Sequence, residues 1–217
     1  MELAERWAAL VRPWASGPEA DAVGRGVIAR YAEPHRRYHT VAHLDAVVRA
    51  LFLDLAPDPA SVELAAFFHD AVYDPRAPAG ENERGSAALA ASALGGLGVP
   101  SATVAAVGRL VLTTAAHDAG GDEDAAVLND ADLSVLGGAP DDYRAYVAAV
   151  RAEYGWLADE DWRAGRGAVV ANLLARPRLY ATARARDRWE AAARTNLREE
   201  LTWWRDDPAG PGPPPRA

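Results

Sequence analysis

The chain has 217 residues, of which half are hydrophobic and a quarter are charged, so it has enough apolar material to build a folded core. Its 31 acidic and 23 basic residues give a net charge of −8, which disfavours binding to nucleic acid or to anionic membranes. Cysteine and lysine are both absent. Their absence excludes disulfides, thiolate zinc sites, iron–sulfur clusters, cysteine nucleophiles, Schiff-base lysines and a P-loop lysine.

The spacing of apolar residues is helical almost throughout, and glycine and proline divide the chain into about ten segments. The sequence predicts helices at about 3–14, 19–31, 38–55, from 59 onward, 81–95, 101–116, 124–136, 141–154, 159–176 and 182–204. Proline and glycine dominate residues 206–217, where we expect a disordered tail. The predicted fold is therefore all-α, with one helical domain over 1–205.

The N-terminus predicts a soluble, cytoplasmic protein. Its first residues, MELAERW, are acidic and amphipathic and lack the positive start and apolar run of a signal peptide. The longest uncharged stretch, 85–108, consists mostly of alanine, glycine and serine, which is too weakly apolar to span a bilayer.

Three of the five histidines lie within nine residues, at His35, His39 and His43. If this stretch is helical, His39 and His43 lie one turn apart on the same face. Two imidazoles placed in this way can bind a divalent metal, or one can bind the metal while the other contacts a substrate. Solvent-exposed or capping histidines would give the same spacing.

Two further segments place polar groups inside apolar runs. The helix from Pro59 ends at two phenylalanines followed by His69 and Asp70, and burying this pair is costly unless it is paired or bound to a cation. Asp130 and Asp132 lie in a second apolar run, where we expect one carboxylate to point inward and the other to cap a helix or support the site. A polar helix end and an N-cap pair are the alternative interpretations.

The order of these motifs resembles the HD superfamily of metal-dependent phosphohydrolases, and within it a subfamily of uncharacterised bacterial predicted HD phosphohydrolases. The likeness covers about 31–201 and is carried by the segments YHTVAHL (38–44), FHDAVYD (68–74), NERGSA (82–87) and DADLSVLG (130–137). It implies an HD-domain-like helical bundle that holds a metal through His43, His69, Asp70 and Asp132. His39 is the alternative to His43, and Asp130 is the less favoured alternative to Asp132.

The other site residues are expected around this ligand set. A spare carboxylate or imidazole would be the catalytic general base, and the candidates are Glu83, His39 and Asp74. His117 follows an apolar helix as His69 does, and we expect it to contact the substrate phosphate. The alternatives are a second-metal ligand together with Glu83, or a histidine stabilised by the helix dipole.

Many members of the family bind phosphate through a lysine beyond the His-Asp pair, and this chain has no lysine. An arginine must take that role, since its fork suits phosphate oxygens. Arg36 and Arg37, beside the histidines, are the first candidates, and Arg76 and Arg84 are the others.

The resemblance predicts metal-assisted hydrolysis of a phosphomonoester or a nucleotide. Mixed imidazole and carboxylate ligands suit Mn²⁺, Mg²⁺, Co²⁺, Fe²⁺ or Ni²⁺ better than a structural zinc. The expected partner is a small phosphorylated substrate, with a nucleotide as one candidate, and a homo-oligomer is compatible with the sequence. The alternatives are an HD-fold di-iron oxygenase, a non-catalytic nucleotide-binding HD domain and a purely structural helical protein.

Overall fold

Prolines begin several helices in the computed structural model of the protein, which describes residues 2–206 and the side chains of 2–203. Pro18, Pro59 and Pro140 each occupy a first helical position, where the missing N–H removes no hydrogen bond. Among the described residues there is no strand, so the predicted all-α fold is confirmed.

The α-helices are α1 (Leu3–Val11), α2 (Pro18–Arg30), α3 (Val41–Ala50), α4 (Pro59–Phe68), α5 (Glu81–Gly96), α6 (Ser101–Thr113), α7 (Glu123–Asp132), α8 (Pro140–Glu153), α9 (Asp159–Ala175), α10 (Ala183–Ala185) and α11 (Ala191–Asp206). Short 3₁₀ turns cover Leu53–Leu55 and Leu133–Gly137, and a π turn at Arg186–Glu190 joins α10 to α11. Within residues 2–206, no helix combines the length and the apolar character needed to cross a membrane. Apart from Asp206, the tail predicted to be disordered lies outside the described residues.

The chain divides into two compact units, Met1–Asp132 and Leu133–Ala217. The single domain expected over 1–205 stays a prediction. Every residue that the sequence nominates for the functional site belongs to the first unit.

Helix α4 lies at the centre of the first unit and contacts α1, α2, α3, α5, α6 and α7. Its residues from Ser61 to Phe68 are buried except Glu63, because a helix that is apolar on all sides must be surrounded by other elements. Asp58 caps the helix by accepting a hydrogen bond from the Ser61 backbone N–H at 3.1 Å. Because α4 runs through the core, His69 and Asp70, which directly follow it, lie inside the first unit.

Trp7 joins α1 to the core around α4. Its ring meets Phe67 and Phe68 edge to face, with ring-centroid distances of 5.4 and 5.9 Å. Its Nε1 donates to the backbone oxygen of Ala20 on α2 at 2.9 Å. The ring rests directly on Gly24, where an added Cβ would lie 2.2 Å from Trp7 Cδ1.

We expect Gly24→Ala to lower the free energy of unfolding by about 1–3 kcal/mol, because overpacking this contact forces the ring or α2 to move. Gly26 on the same helix is the matched control, since a Cβ there meets no atom within 4 Å. Gly26→Ala should raise the free energy of unfolding by about 0.5–1 kcal/mol through helix propensity. Urea unfolding followed by circular dichroism measures both changes, and effects of the same sign would contradict this interpretation.

In the second unit, α11 contacts α9, the Leu133–Gly137 turn and the π turn. A buried ion pair joins α9 to α11, with Arg166 Nε 2.8 Å from Glu200 Oε1. The Tyr143 hydroxyl of α8 donates to Glu200 Oε2 at 2.5 Å. Asn196 donates to the backbone oxygens of Leu136 and Gly138, which fixes the 3₁₀ turn against α11.

Two helix ends near the histidines differ from the prediction. Helix α3 begins at Val41 rather than near Tyr38, because Thr40 is extended and Arg36 holds the His39 carbonyl outside the helix. The expected helical i,i+4 pair of His39 and His43 is therefore wrong.

Helix α6 ends at Thr113 rather than near Ala116. The Thr113 and Thr114 hydroxyls donate to the backbone oxygens of Leu110 and Val111, at 2.7 and 2.8 Å. His117 therefore lies in the loop beyond the helix, and the interpretation of it as a helix C-terminal histidine is wrong.

Candidate metal centre

Four side chains of the first unit converge on one point: His43, His69, Asp70 and Asp132 each bring one ligand atom within 4.8 Å of the others. The two histidine Nε2 atoms are 3.0 Å apart. Asp70 Oδ2 lies 3.3 and 3.2 Å from them, and Asp132 Oδ1 lies 3.4 and 3.6 Å away. Two imidazoles and two carboxylates form a donor set that suits a divalent cation, so these four residues could hold a metal ion.

This set matches the one predicted from the sequence, with His43 rather than His39 and Asp132 rather than Asp130. His43 comes from α3, His69 and Asp70 follow α4, and Asp132 ends α7. The three helices contact one another pairwise, which explains how distant stretches of chain meet.

His69 is oriented for this role by its other ring nitrogen. Its Nδ1 lies 2.8 Å from the backbone oxygen of Ala66, one turn back on α4. A carbonyl oxygen can only accept a hydrogen bond, so Nδ1 carries a proton and Nε2 is the ring nitrogen that faces the cluster. An imidazole fixed in this way is the usual arrangement of a histidine ligand.

The charges of the cluster also suit a cation. Burial disfavours a charged His69, but Asp70 and Asp132 outweigh that effect and raise the pKa of His69 to about 9. Burial lowers the pKa of His43, so the pair holds its proton on His69. Although burial acts to raise them, the neighbouring histidines hold the pKa of Asp70 well below its usual range and lower that of Asp132 to about 2.

Metal binding near pH 7 should therefore release about one proton, because the cation and the His69 proton compete for the same Nε2 lone pair. Binding should tighten as the pH rises toward about 9, and the release should vanish above that value. Calorimetric titration with Mn²⁺ in two buffers of different ionisation enthalpy, neither binding the metal, measures the release. A binding enthalpy that is independent of the buffer near pH 7 would contradict this assignment of the proton.

Two further histidines flank the cluster, each beside one of its carboxylates. His39 Nε2 lies 4.0 Å from Asp70 Oδ2, and His117 Nε2 lies 2.9 Å from Asp132 Oδ2. Their side chains are 20% and 27% exposed, whereas those of the two histidine ligands are almost fully buried. A small molecule would therefore reach the cluster from the side of the carboxylates and the two outer histidines.

The position of His117 requires an unusual backbone conformation. Its φ of +46° lies in the left-handed region that non-glycine residues adopt rarely. Strained backbone of this kind often occurs at functional sites, where the surrounding structure holds it. Here this backbone conformation places the imidazole of His117 within hydrogen-bond distance of the Asp132 carboxylate.

The two arginines that the sequence predicts to bind the substrate phosphate, Arg36 and Arg37, differ in their exposure to solvent. Arg36 is buried, and its guanidinium binds backbone oxygens and Glu33. Arg37 is exposed, and its NH1 donates to the carbonyls of Pro34 and Arg36. Of the other two candidates, Arg84 pairs with Glu81 at 2.7 Å.

The remaining candidates lie outside the four-residue cluster. Asp74 is exposed, and its Oδ1 accepts a hydrogen bond from the Arg76 backbone at 2.9 Å. Glu83 lies in the first turn of α5, and its Oε2 is buried without a hydrogen-bond partner in the described part of the chain. Asp130 is buried on α7. Their catalytic or ligand roles stay predictions.

The sequence does not single out Tyr31, whose hydroxyl donates to the Phe67 backbone oxygen at 3.0 Å and accepts from the Asp70 N–H at 3.2 Å. Nor does the sequence single out Tyr73, whose ring centroid lies 4.2 Å from that of His39. Tyrosines in these positions are equally typical of packing between helices, so the sequence pattern cannot distinguish a packing tyrosine from one that supports the site.

Comparisons of the chain with protein-family models, with curated proteins and with solved structures found no match. The resemblance to HD phosphohydrolases therefore rests on the sequence motifs and stays a prediction.

Proposed function

We propose that the protein is a divalent-metal-dependent phosphohydrolase of the HD type that acts on a small phosphorylated substrate. The observation that carries the proposal is the convergence of His43, His69, Asp70 and Asp132, with one donor atom from each within 4.8 Å of the others. Their order along the chain is the order that the HD resemblance implies.

A divalent cation held by these residues would supply a Lewis acid that lowers the pKa of water and screens the charge of a phosphoryl group. His117, at the exposed edge of the cluster, contacts the phosphoryl group of the substrate. As the catalytic base His39 is better placed than Asp74, which is exposed and whose carboxylate accepts a hydrogen bond from the Arg76 backbone. It takes the proton of the attacking water at Nε2, the nitrogen 4.0 Å from Asp70.

An activity screen tests this function. Purified protein is stripped of metal, supplied separately with Mn²⁺, Mg²⁺, Co²⁺, Fe²⁺ or Ni²⁺, and assayed for phosphate release from a panel of nucleotides and phosphomonoesters. We expect turnover that requires one of these ions and is lost in His69→Ala. His35→Ala is the matched control, because this exposed histidine contacts the Tyr73 backbone rather than the cluster.

Two outcomes would contradict the proposal. Oxygen consumption by the Fe²⁺ form without phosphate release would instead favour the di-iron oxygenase. Nucleotide binding without turnover under all five ions would favour a non-catalytic nucleotide-binding domain.

A further inference from the structure

We propose that Arg36 is a positioning residue that holds the two histidine-bearing segments of the metal centre at the distance the cation requires. The inference rests on the proposed function in taking His43, His69 and Asp70 as metal ligands. It differs from the phosphate-binding role that the sequence suggests for the same arginine.

The guanidinium of Arg36 bridges two separate stretches of chain. NH1 donates to the backbone oxygen of His39 at 3.1 Å and to that of Asp70 at 2.8 Å. NH2 donates to the backbone oxygen of Ala71 at 3.2 Å. One planar group therefore ties the turn that leads into α3 to the turn that follows α4.

These turns carry the ligands. His39 lies two residues before the start of α3, on which His43 lies in the first turn. Asp70 is a ligand itself and adjoins His69. The spacing of 3.0 Å between the two histidine Nε2 atoms depends on how these turns sit against each other, and Arg36 is bonded to both.

Three surrounding groups hold the guanidinium in place. Glu33 Oε2 accepts from Arg36 Nε at 3.3 Å and from NH2 at 3.2 Å. The rings of Tyr31 and Tyr73 lie 5.2 and 5.4 Å from the guanidinium carbon, within the range of cation–π contacts. The side chain is 0% exposed, so a substrate phosphate would have to displace these contacts to reach it.

Arginine suits this role because its rigid fork presents several N–H groups in one plane, whereas lysine is a compact point charge. Without the fork, the oxygens of Asp70 and Ala71 would lose donors that water cannot easily replace in a buried position. The turn after α4 would then shift and carry His69 and Asp70 away from His43. The expected effect is on the geometry of the ligands rather than on their number.

Cobalt binding tests the proposal. Metal-free wild-type protein, Arg36→Met and Arg36→Lys are titrated with Co²⁺, whose visible absorption reports ligand geometry. Loss of an outer partner of this kind typically weakens metal affinity about 10–100-fold, and we expect that range for Arg36→Met together with a changed spectrum. Arg36→Lys should also weaken cobalt binding and change the spectrum, since lysine keeps the positive charge but lacks the planar set of N–H donors. Arg6→Met is the matched control, because Arg6 pairs with Glu63 on α4, six residues before His69, and not with the turns that carry the ligands.

A second measurement needs no metal. Hydrogen exchange in the metal-free variants should be faster over residues 66–74 than in wild-type protein, with exchange over α9 unchanged. If Arg36→Met does not fold, Arg36→Lys gives both measurements, and addition of free guanidinium to Arg36→Ala should restore part of the cobalt affinity.

The outcomes separate this inference from the proposed function. If wild-type protein does not bind Co²⁺, the metal centre itself is wrong. If wild-type protein binds it and both Arg36 variants keep the same affinity, spectrum and exchange, only the positioning role is overturned. If the Arg36 variants raise the substrate KM but leave the cobalt spectrum unchanged, the positioning role is wrong and phosphate binding is the better interpretation of Arg36.

Discussion

Asp70→Asn should weaken divalent-metal binding by more than about 100-fold, which exceeds the loss expected for an outer partner of a ligand. Asp70 Oδ2 lies 3.3 and 3.2 Å from the Nε2 atoms of His43 and His69, so it faces the point at which the ligands meet. Asparagine keeps the size of the side chain but removes the negative charge that the cation needs. Equilibrium dialysis followed by metal analysis gives the affinity, and circular dichroism should show unchanged helical content.

Asp45→Asn is the control for this substitution. Asp45 lies two residues beyond His43 on α3, but it pairs with Arg49 at 2.6 Å in an exposed position. Metal affinity should be unchanged in that variant. An Asp70→Asn protein that binds metal with wild-type stoichiometry and affinity would remove the proposed centre, and the same result for His69→Ala would leave no role for the His-Asp pair.

Asp70→Asn should also abolish the stabilisation of the folded protein by bound metal. A ligand present at 100 times its dissociation constant stabilises a folded protein by about 2.7 kcal/mol when it does not bind the unfolded chain. We expect saturating Mn²⁺ to raise the melting temperature of wild-type protein and to leave that of Asp70→Asn unchanged. An equal rise in both proteins would place the bound metal elsewhere.

The ligand set could be predicted from the sequence because the motifs resemble those of HD phosphohydrolases and because apolar helical residues adjoin them. Leu44, Val47 and Val48 follow His43 on the buried face of α3, so a helix reaching the core must carry that histidine inward. The apolar residues before His69 do the same for the end of α4. Periodicity alone left capping or surface roles open for these residues, and the resemblance to HD phosphohydrolases selected the four positions.

The surroundings of the ligands could not be predicted, because they depend on bonds between distant stretches of chain. Arg36 looks like any surface arginine beside a histidine cluster, and only the folded structure shows its fork on the carbonyls of Asp70 and Ala71. His117 reaches Asp132 through a left-handed backbone conformation that no helical pattern encodes. The start of α3 was misplaced for the same reason, since a tertiary bond to the His39 carbonyl sets it.

In the second unit, Arg166→Met should lower the free energy of unfolding by about 3–5 kcal/mol, because it leaves a buried carboxylate without its cation. Glu200 is 0% exposed and receives two hydrogen bonds from Arg166, at 2.8 and 3.0 Å. The Tyr143 hydroxyl would be its remaining donor, and burial raises the pKa of Tyr143, so this hydroxyl stays protonated. Denaturant unfolding monitored by the fluorescence of the tryptophans measures the loss.

Two variants show whether the uncompensated charge is the cause. Arg144→Met breaks an ion pair with Asp141 whose partners are at least half exposed, and it should have little effect because water solvates both charges. Replacing Arg166 and Glu200 together, by methionine and leucine, removes both buried charges and should destabilise less than Arg166→Met alone. If the double variant loses more stability than the single one, the ion pair contributes net stabilisation to the unit, and the penalty of an unpaired carboxylate is not the main effect.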